Sequence, residues 1–305
     1  YGAVMLMVSL YWMRKVKQTS DFLMAHRGLG FFPILGTVLA TGIGTGVALG
    51  ASGLAYRSGW GGCVYPIGLG VGIMLTAIFA RMREYNFMTL SEEIACYYGG
   101  NAVIYNFSNV TLFLSKVCWL SVQIMGGGFV LSVITGLDIN TSTIIAGVLI
   151  AITTIPGGLL TVVYTDIFQV VILLGGFILL CVLSLQDVGG LAGLREKVPA
   201  ENFSFLGVEA LGWKTVLSIF TAMIIHLVAD TNQRHRIYSA ASPKVARRAI
   251  LVAGVFEICF AVVIGIVGMS VYAMNPDLPA SDQAITWLTV NVLPTWLAAI
   301  VVVAT

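Results

Sequence analysis

Near the middle of a long apolar stretch the chain reads Thr41-Gly42-Ile43-Gly44-Thr45-Gly46, with three glycines at alternate positions. Each glycine costs a helix about 1 kcal/mol relative to alanine. Residues 31–40 and 47–56 on either side are almost wholly apolar, so the pattern predicts a membrane span that opens near its middle. Unwound carbonyls at that depth are tolerated where they line a cavity or coordinate a cation. The chemistry expected of this segment is therefore non-covalent capture of an ion and a solute. Close helix packing through small residues is the alternative reading.

Ionisable groups within apolar spans are the next candidates, because a charge in a bilayer is costly unless it is used. Asp166 stands near one end of an apolar run and is either an interfacial cap or part of an ion path. His226 and Asp230 are four residues apart, which on a continuous helix places them on one face. They read either as solute contacts or as a structural hydrogen-bonded pair. A metal pair would need a third ligand, and none is evident. Glu257 and Lys116 are of opposite sign and are read as structural, pairing with each other or snorkelling. Trp119 and Gln123 are also four apart, and an amide at that depth needs a partner, so their face is expected to look into the bundle.

The elements that must position these groups are membrane helices. The 305 residues are 58% hydrophobic and 10% charged, with a mean hydropathy of +0.94, against about 25% charged residues in soluble domains. A net charge of +2 and the absence of a basic aromatic surface argue against nucleic acid. No stretch has the basic start, short apolar core and small-residue cleavage site of a secretory signal. The five cysteines stand at long spacings without metal or redox patterning and read as packing residues.

Apolar runs predict helices over 1–13, 31–57, 62–81, 103–134, 140–156, 159–185, 213–234, 245–274 and 294–305. The first and last are shorter than the roughly 20 residues a span needs, so the expectation is a bundle truncated at both ends. Pro156-Gly157-Gly158 implies a tight hairpin between two spans. One set of connections carries Arg14, Lys15, Lys17, Arg27, Arg81, Arg83, Arg234, Arg236, Lys244, Arg247 and Arg248; the alternate set carries Arg57, Arg195, Lys197 and Lys214. The richer set marks the cytoplasmic side. Stretches 186–212 and 275–293 are then extracellular, each amphipathic enough for a short surface helix.

Three stretches carry a resemblance. Gly157-Gly158, followed by Val162, Thr165-Asp166 and Gln169, resembles the corner signature of the sodium:solute symporter family, which includes the sodium/proline, sodium/pantothenate, sodium/glucose and choline carriers. Ser20–Gly30, then Ala40-Thr41 and Gly50, Gly53, Ala55-Tyr56 and Gly59, is similar to the family's approach to core helix 1. Asp230, His235-Arg236 and Ala240 resemble the pattern that ends core helix 6, with His235 in place of Gln.

The resemblance implies an all-α polytopic membrane protein with a LeuT-type inverted-repeat helix bundle. Residues 1–13 would be an extra N-terminal helix, 31–185 the first five-helix repeat and 213–305 an incomplete second repeat. It implies a sodium site on the carbonyls of Ala40 and Ile43, with its hydroxyl half beyond Thr305, and places Asp166 on the sodium path to the cytoplasm. Thr41, Gly42, Thr45, Trp119, Gln123, His226 and Asp230 are the candidates to line the solute pocket. Gly42 stands where proline carriers have Asp, His226 where sugar carriers have an aromatic gate, and Gly42 and Asp230 remove two aromatic walls of a choline site. All three solutes become less favoured.

The function expected is sodium-coupled import of a small polar organic solute across the plasma (inner) membrane. Sodium would bind first and hold the helix break open for solute, and a rocking bundle would give alternating access. The partners are sodium, solute and the lipid bilayer. A transporter-like sensor domain is the first alternative and a channel the second. An enzyme is not expected, since no nucleophile–base pair or HExxH pattern is present.

Overall fold

The structure is a computed structural model that describes residues 2–14, 18–44, 46–154, 158–294, 296–298 and 301. Thr45, Lys15, Lys17, Pro156, Gly157 and most of the 294–305 run lie outside the described residues. The described residues are overwhelmingly helical, with one isolated bridge between Leu29 and Ala240. The principal helices are α1 (Gly2–Met13), α2 (Phe31–Gly42), α3 (Val64–Thr76), α4 (Leu90–Tyr97), α5 (Ala102–Thr135), α6 (Ile139–Thr154), α7 (Gly158–Val188), α8 (Gly190–Lys197), α9 (Trp213–Ala229), α10 (Thr231–Ser239), α11 (Pro243–Met274) and α12 (Ala284–Val292).

Four helical stretches among the described residues are long and apolar enough to cross a membrane: Gly46–Tyr85, Ala102–Ser132, Gly158–Val188 and Pro243–Met274. A fifth forms if α9 and α10, bent by 43° at their junction, make one broken span. The expected span over 31–57 is interrupted where the glycines stand. α2 stops at Gly42, and a π-helical turn, Gly46–Ala51, precedes a short helix, Ser52–Ser58. Short helices α8 and α12 occupy the two stretches expected on the extracellular surface.

The described chain divides into two compact units. The first comprises residues 1–38, 76–167 and 229–250. Here a carbon added at Gly128 of α5 would collide with Thr143 of α6, so the α5–α6 hairpin closes through a missing side chain. Much of α5 faces outward, with Val103, Phe107 and Phe113 more than two-thirds exposed, as suits contact with lipid. On α2, a β-carbon at Gly36 would lie 2.7 Å from Ile167 of α7. Trp12 of α1 stacks on Tyr164 of α7 at 3.7 Å. The chain approaches α2 through a left-handed turn, with φ of 48°, 58° and 52° at Ala25, His26 and Arg27. Arg27 fastens that turn by donating to the Asn86 side chain at 3.0 Å and to the Asn86 carbonyl at 2.7 Å.

The second unit comprises residues 39–75, 168–228 and 251–305. Its centre is the close approach of the Gly46–Tyr85 helical stretch to α11. A β-carbon at Gly70 would meet Ile258 at 2.6 Å and the Gly254 carbonyl at 2.7 Å. One at Gly254 would in turn meet the Gly70 carbonyl at 2.6 Å. Small residues at such contacts let helix backbones approach, which matters where lipid removes the hydrophobic drive between helices. Val188, Leu194, Val198 and Met269 form a buried cluster that fastens α8 to the end of α11. The Tyr56 hydroxyl donates to the Pro276 carbonyl at 2.6 Å and accepts from the Leu278 N–H at 3.1 Å, which fixes the loop before α12.

The glycine contact gives a direct test. Gly70→Val places three carbons where none fit, and overpacking of this kind costs about 1–3 kcal/mol. The variant should melt below the parent protein in detergent, whereas Gly30→Ala, at a site with open space, should not. Equal melting temperatures for Gly70→Val and the parent would show that the two helices are not held at this distance.

Candidate functional site

The first break forms because Gly42, Gly44 and Gly46 weaken a helix that neighbouring polar groups then exploit. The Ile43 N–H still donates to the Leu39 carbonyl at 2.8 Å. Among the described residues the Val47 and Ala48 N–H groups share the Gly44 carbonyl at 3.0 Å each. The regular helix therefore ends in the turn that holds Ala40, with Ile43 just beyond it. Gly42 has no room for a side chain: its β-carbon would lie 2.9 Å from Glu257 Oε2 and 3.3 Å from Oε1. Gly46 is covered in the same way by the Tyr65 hydroxyl, 2.8 Å from where a β-carbon would stand. Ile43 and Glu257 are fully buried. Neither Glu257 oxygen has a hydrogen-bond partner among the described residues. The pairing of Glu257 with Lys116 expected as one possibility is not what the structure shows, since Lys116 is bonded elsewhere.

The second break lies in the first unit, at Asp230. No glycine or proline is present in 213–242, and an acid does the work instead. Asp230 has extended backbone (φ −73°, ψ 126°), and its carboxylate caps α10 by accepting from the Gln233 N–H at 3.3 Å. Lys116 of α5 donates to the other carboxylate oxygen. α9 ends at Ala229, and Asp230 begins the turn into α10. His226 is half-buried in the second unit, while Asp230 is buried in the first.

Asp166 of α7 belongs to a third polar group, also in the first unit. It accepts from the Thr37 hydroxyl and pairs with Arg236 at 3.5 Å. Arg236 also donates to Thr37 at 2.9 Å. Two residues earlier on α10, Arg234 lies 3.6 Å from Glu93 and 3.3 Å from the Phe79 ring centroid. Glu93, buried on α4, accepts from the Tyr97 hydroxyl at 2.9 Å and from the Tyr238 hydroxyl. Arg83 reaches the Ala240 carbonyl at 2.6 Å. α10 is thus held by ion pairs along its length, and most of the basic residues assigned to the cytoplasmic side lie in this unit.

Of the solute candidates, Thr41, Gly42 and His226 are carried by the second unit, and Trp119, Gln123 and Asp230 by the first; Thr45 is outside the described residues. Trp119 and Gln123 are half-buried on α5, one and two turns beyond Lys116. Of the sodium candidates, Ala40 and Ile43 stand at the first break and Asp166 in the ion-paired group. Sequence reasoning missed Gln233, fully buried with neither amide atom partnered among the described residues. It also missed Arg236 and Thr37 as partners of Asp166. The polar run Asp230–Gln233 held the signal for the first. No spacing in the sequence signals the second, because Thr37, Asp166 and Arg236 meet from three distant segments.

Removing one member of a buried ion pair strands its partner, at a cost of about 3–5 kcal/mol. Arg236→Ala should therefore lower thermal stability markedly, and adding Asp166→Asn should restore much of the loss. A single variant that melts with the parent protein would show that the pair contributes nothing.

Comparison with known proteins places this geometry. The chain matches the description "Sodium:solute symporter family" over residues 22–305. It is 24% identical to the sodium/pantothenate symporter of Escherichia coli (strain K12), over the whole of this chain and 65% of that protein. It is 28% identical to mouse (Mus musculus) solute carrier family 5 member 4A, over 65% of this chain and 31% of that one. With human (Homo sapiens) sodium/glucose cotransporter 4 the identity is 28%, over 58% of this chain and 26% of that one. The chain thus spans about a third or less of several curated relatives it matches. A solved structure of a Na+-coupled sialic acid symporter superimposes with a TM-score of 0.85 at 19% identity, over all of this chain and 68% of that one, which establishes the shared LeuT-type fold. With residues 22–305 matched and the fold in common, the chain belongs to the sodium:solute symporter family.

Proposed function

We propose that this chain is the membrane part of a sodium-coupled symporter that imports a small polar organic solute by alternating access, in the plasma (inner) membrane. The observation that carries the reading is the break between Gly42 and Gly46, an interruption of the backbone ladder inside an apolar stretch. Sodium is a hard cation that takes oxygen ligands, and a helix end supplies carbonyl oxygens already stripped of their helical donors. The carbonyls of Ala40 and Ile43 are the proposed ligands. Thr41 and Gly42 at the same break, and His226, are proposed to meet solute, as are Trp119, Gln123 and Asp230; Thr45 remains a candidate from sequence. The names of the relatives, which include sodium/glucose and sodium/pantothenate carriers, support sodium as the coupling ion.

Asp166 is proposed to serve sodium on its way to the cytoplasm. Its bonds to Thr37 and Arg236 give that role a physical form, since a passing cation competes with the guanidinium for the same carboxylate. Asp166→Asn should then weaken apparent sodium affinity more than it lowers the melting temperature. Unchanged sodium dependence would leave Asp166 as a structural partner of Arg236.

Uptake of a labelled panel of amino acids, carboxylates, vitamins and sugars by the full-length protein tests the whole reading. An inward sodium gradient should drive accumulation of one class, and equimolar potassium or choline should not. Accumulation that ignores the replacement of sodium would sink sodium coupling.

A further inference from the structure

Glu257 is the acid that neither the helix break nor the ion-paired group on α10 accounts for. It sits on α11, fully buried, in the second unit. Its two oxygens have no hydrogen-bond partner among the described residues. They are not idle in position: the carboxylate is pressed against Gly42, the last residue of α2, at the point where the helical ladder fails. The other side of the break is faced by the hydroxyl of Tyr65, against Gly46. The described titratable groups brought toward this part of α11 are Tyr65 and Cys63 from the Gly46–Tyr85 stretch, and Cys63 is already bonded to the Ala261 carbonyl at 3.0 Å. α2 carries no titratable side chain.

The ion-paired acids elsewhere in this protein show what the position lacks. Asp166 has Arg236, Asp230 has Lys116, and Glu93 has Arg234 and two tyrosine hydroxyls. A buried carboxylate without such a partner is strongly disfavoured unless a cation or a proton joins it. Any side chain at position 42 would occupy the space in front of the carboxylate.

We propose that the Glu257 carboxylate, seated against Gly42, is a second sodium-binding site, separate from the carbonyls of Ala40 and Ile43. It rests on the reading of the chain as a sodium-coupled carrier and extends it to the number of ions carried. A neutral carbonyl site leaves a buried positive charge, whereas a site on Glu257 brings its own counter-charge.

Equilibrium binding of radioactive sodium to the full-length protein in lipid nanodiscs tests this. Glu257→Gln, which keeps the shape and removes the charge, should bind one sodium ion fewer per chain than the parent protein. The remaining ion should bind with little change. An equal number of bound ions overturns the proposal, whether or not the affinity changes. A parent protein that binds no sodium overturns the symporter reading itself, so the two failures are distinct. Should the variant not fold, the parent protein alone decides. Carbodiimide labelling of Glu257, read by mass spectrometry at fixed pH, should be suppressed by sodium but not by potassium. Equal labelling in the two salts would show a carboxyl that holds a proton and no metal ion.

Discussion

Inside a bilayer there is no water to satisfy an orphaned backbone group or a lone charge, and this constraint governs where the chain can bend. A regular helix meets it automatically. Wherever the helix is interrupted, another group must take over the abandoned bonds. The two interruptions here solve the problem in opposite ways. At Asp230 the acid itself supplies the missing acceptor, capping α10 at Gln233, and Lys116 neutralises it. At Gly42 the glycines remove side chains, and the group pressed against the backbone is another acid, for which no hydrogen-bond partner is found among the described residues. That break is the one proposed to take a cation.

The same contrast separates the charges. In the first unit the buried acids are paired with arginine or lysine, and α10 is gripped from α2, α4, α5 and α7. Such pairs seldom stabilise a fold much over apolar packing, but breaking one is expensive, so they define one arrangement of the helices. A network of this kind suits an element that has to stay closed until its charges are exchanged for another partner. Asp166 and Arg236 are the pair proposed to undergo such an exchange, a cation and the guanidinium being alternatives for one carboxylate.

Much of the fold was legible in the sequence. Apolar length located the long helices over 103–134, 159–185 and 245–274, alternate glycines located the first break, and the polar run after Ala229 hinted at the second; the expected gap between 57 and 62 is bridged, since Gly46–Tyr85 is one helical stretch. What pattern reading lost is instructive. An aspartate can stop a helix as effectively as a glycine when its side chain caps the next one, as Asp230 does. Glu257 and Lys116 were matched by charge alone, whereas partners are chosen by which helices pack, and α5 brings Lys116 to Asp230. Thr37, Asp166 and Arg236 converge from segments more than 60 residues apart, so no local periodicity announces them.

The central claim is that the opened backbone at the end of α2 is a sodium receptor. Hydrogen–deuterium exchange of the full-length protein, followed by mass spectrometry of peptides covering residues 38–48, reads that backbone directly. The account predicts that sodium slows exchange in this segment, at an ionic strength where potassium does not, while the α10 segment Thr231–Ser239 changes less. Exchange across residues 38–48 that is the same in sodium and in potassium would contradict it.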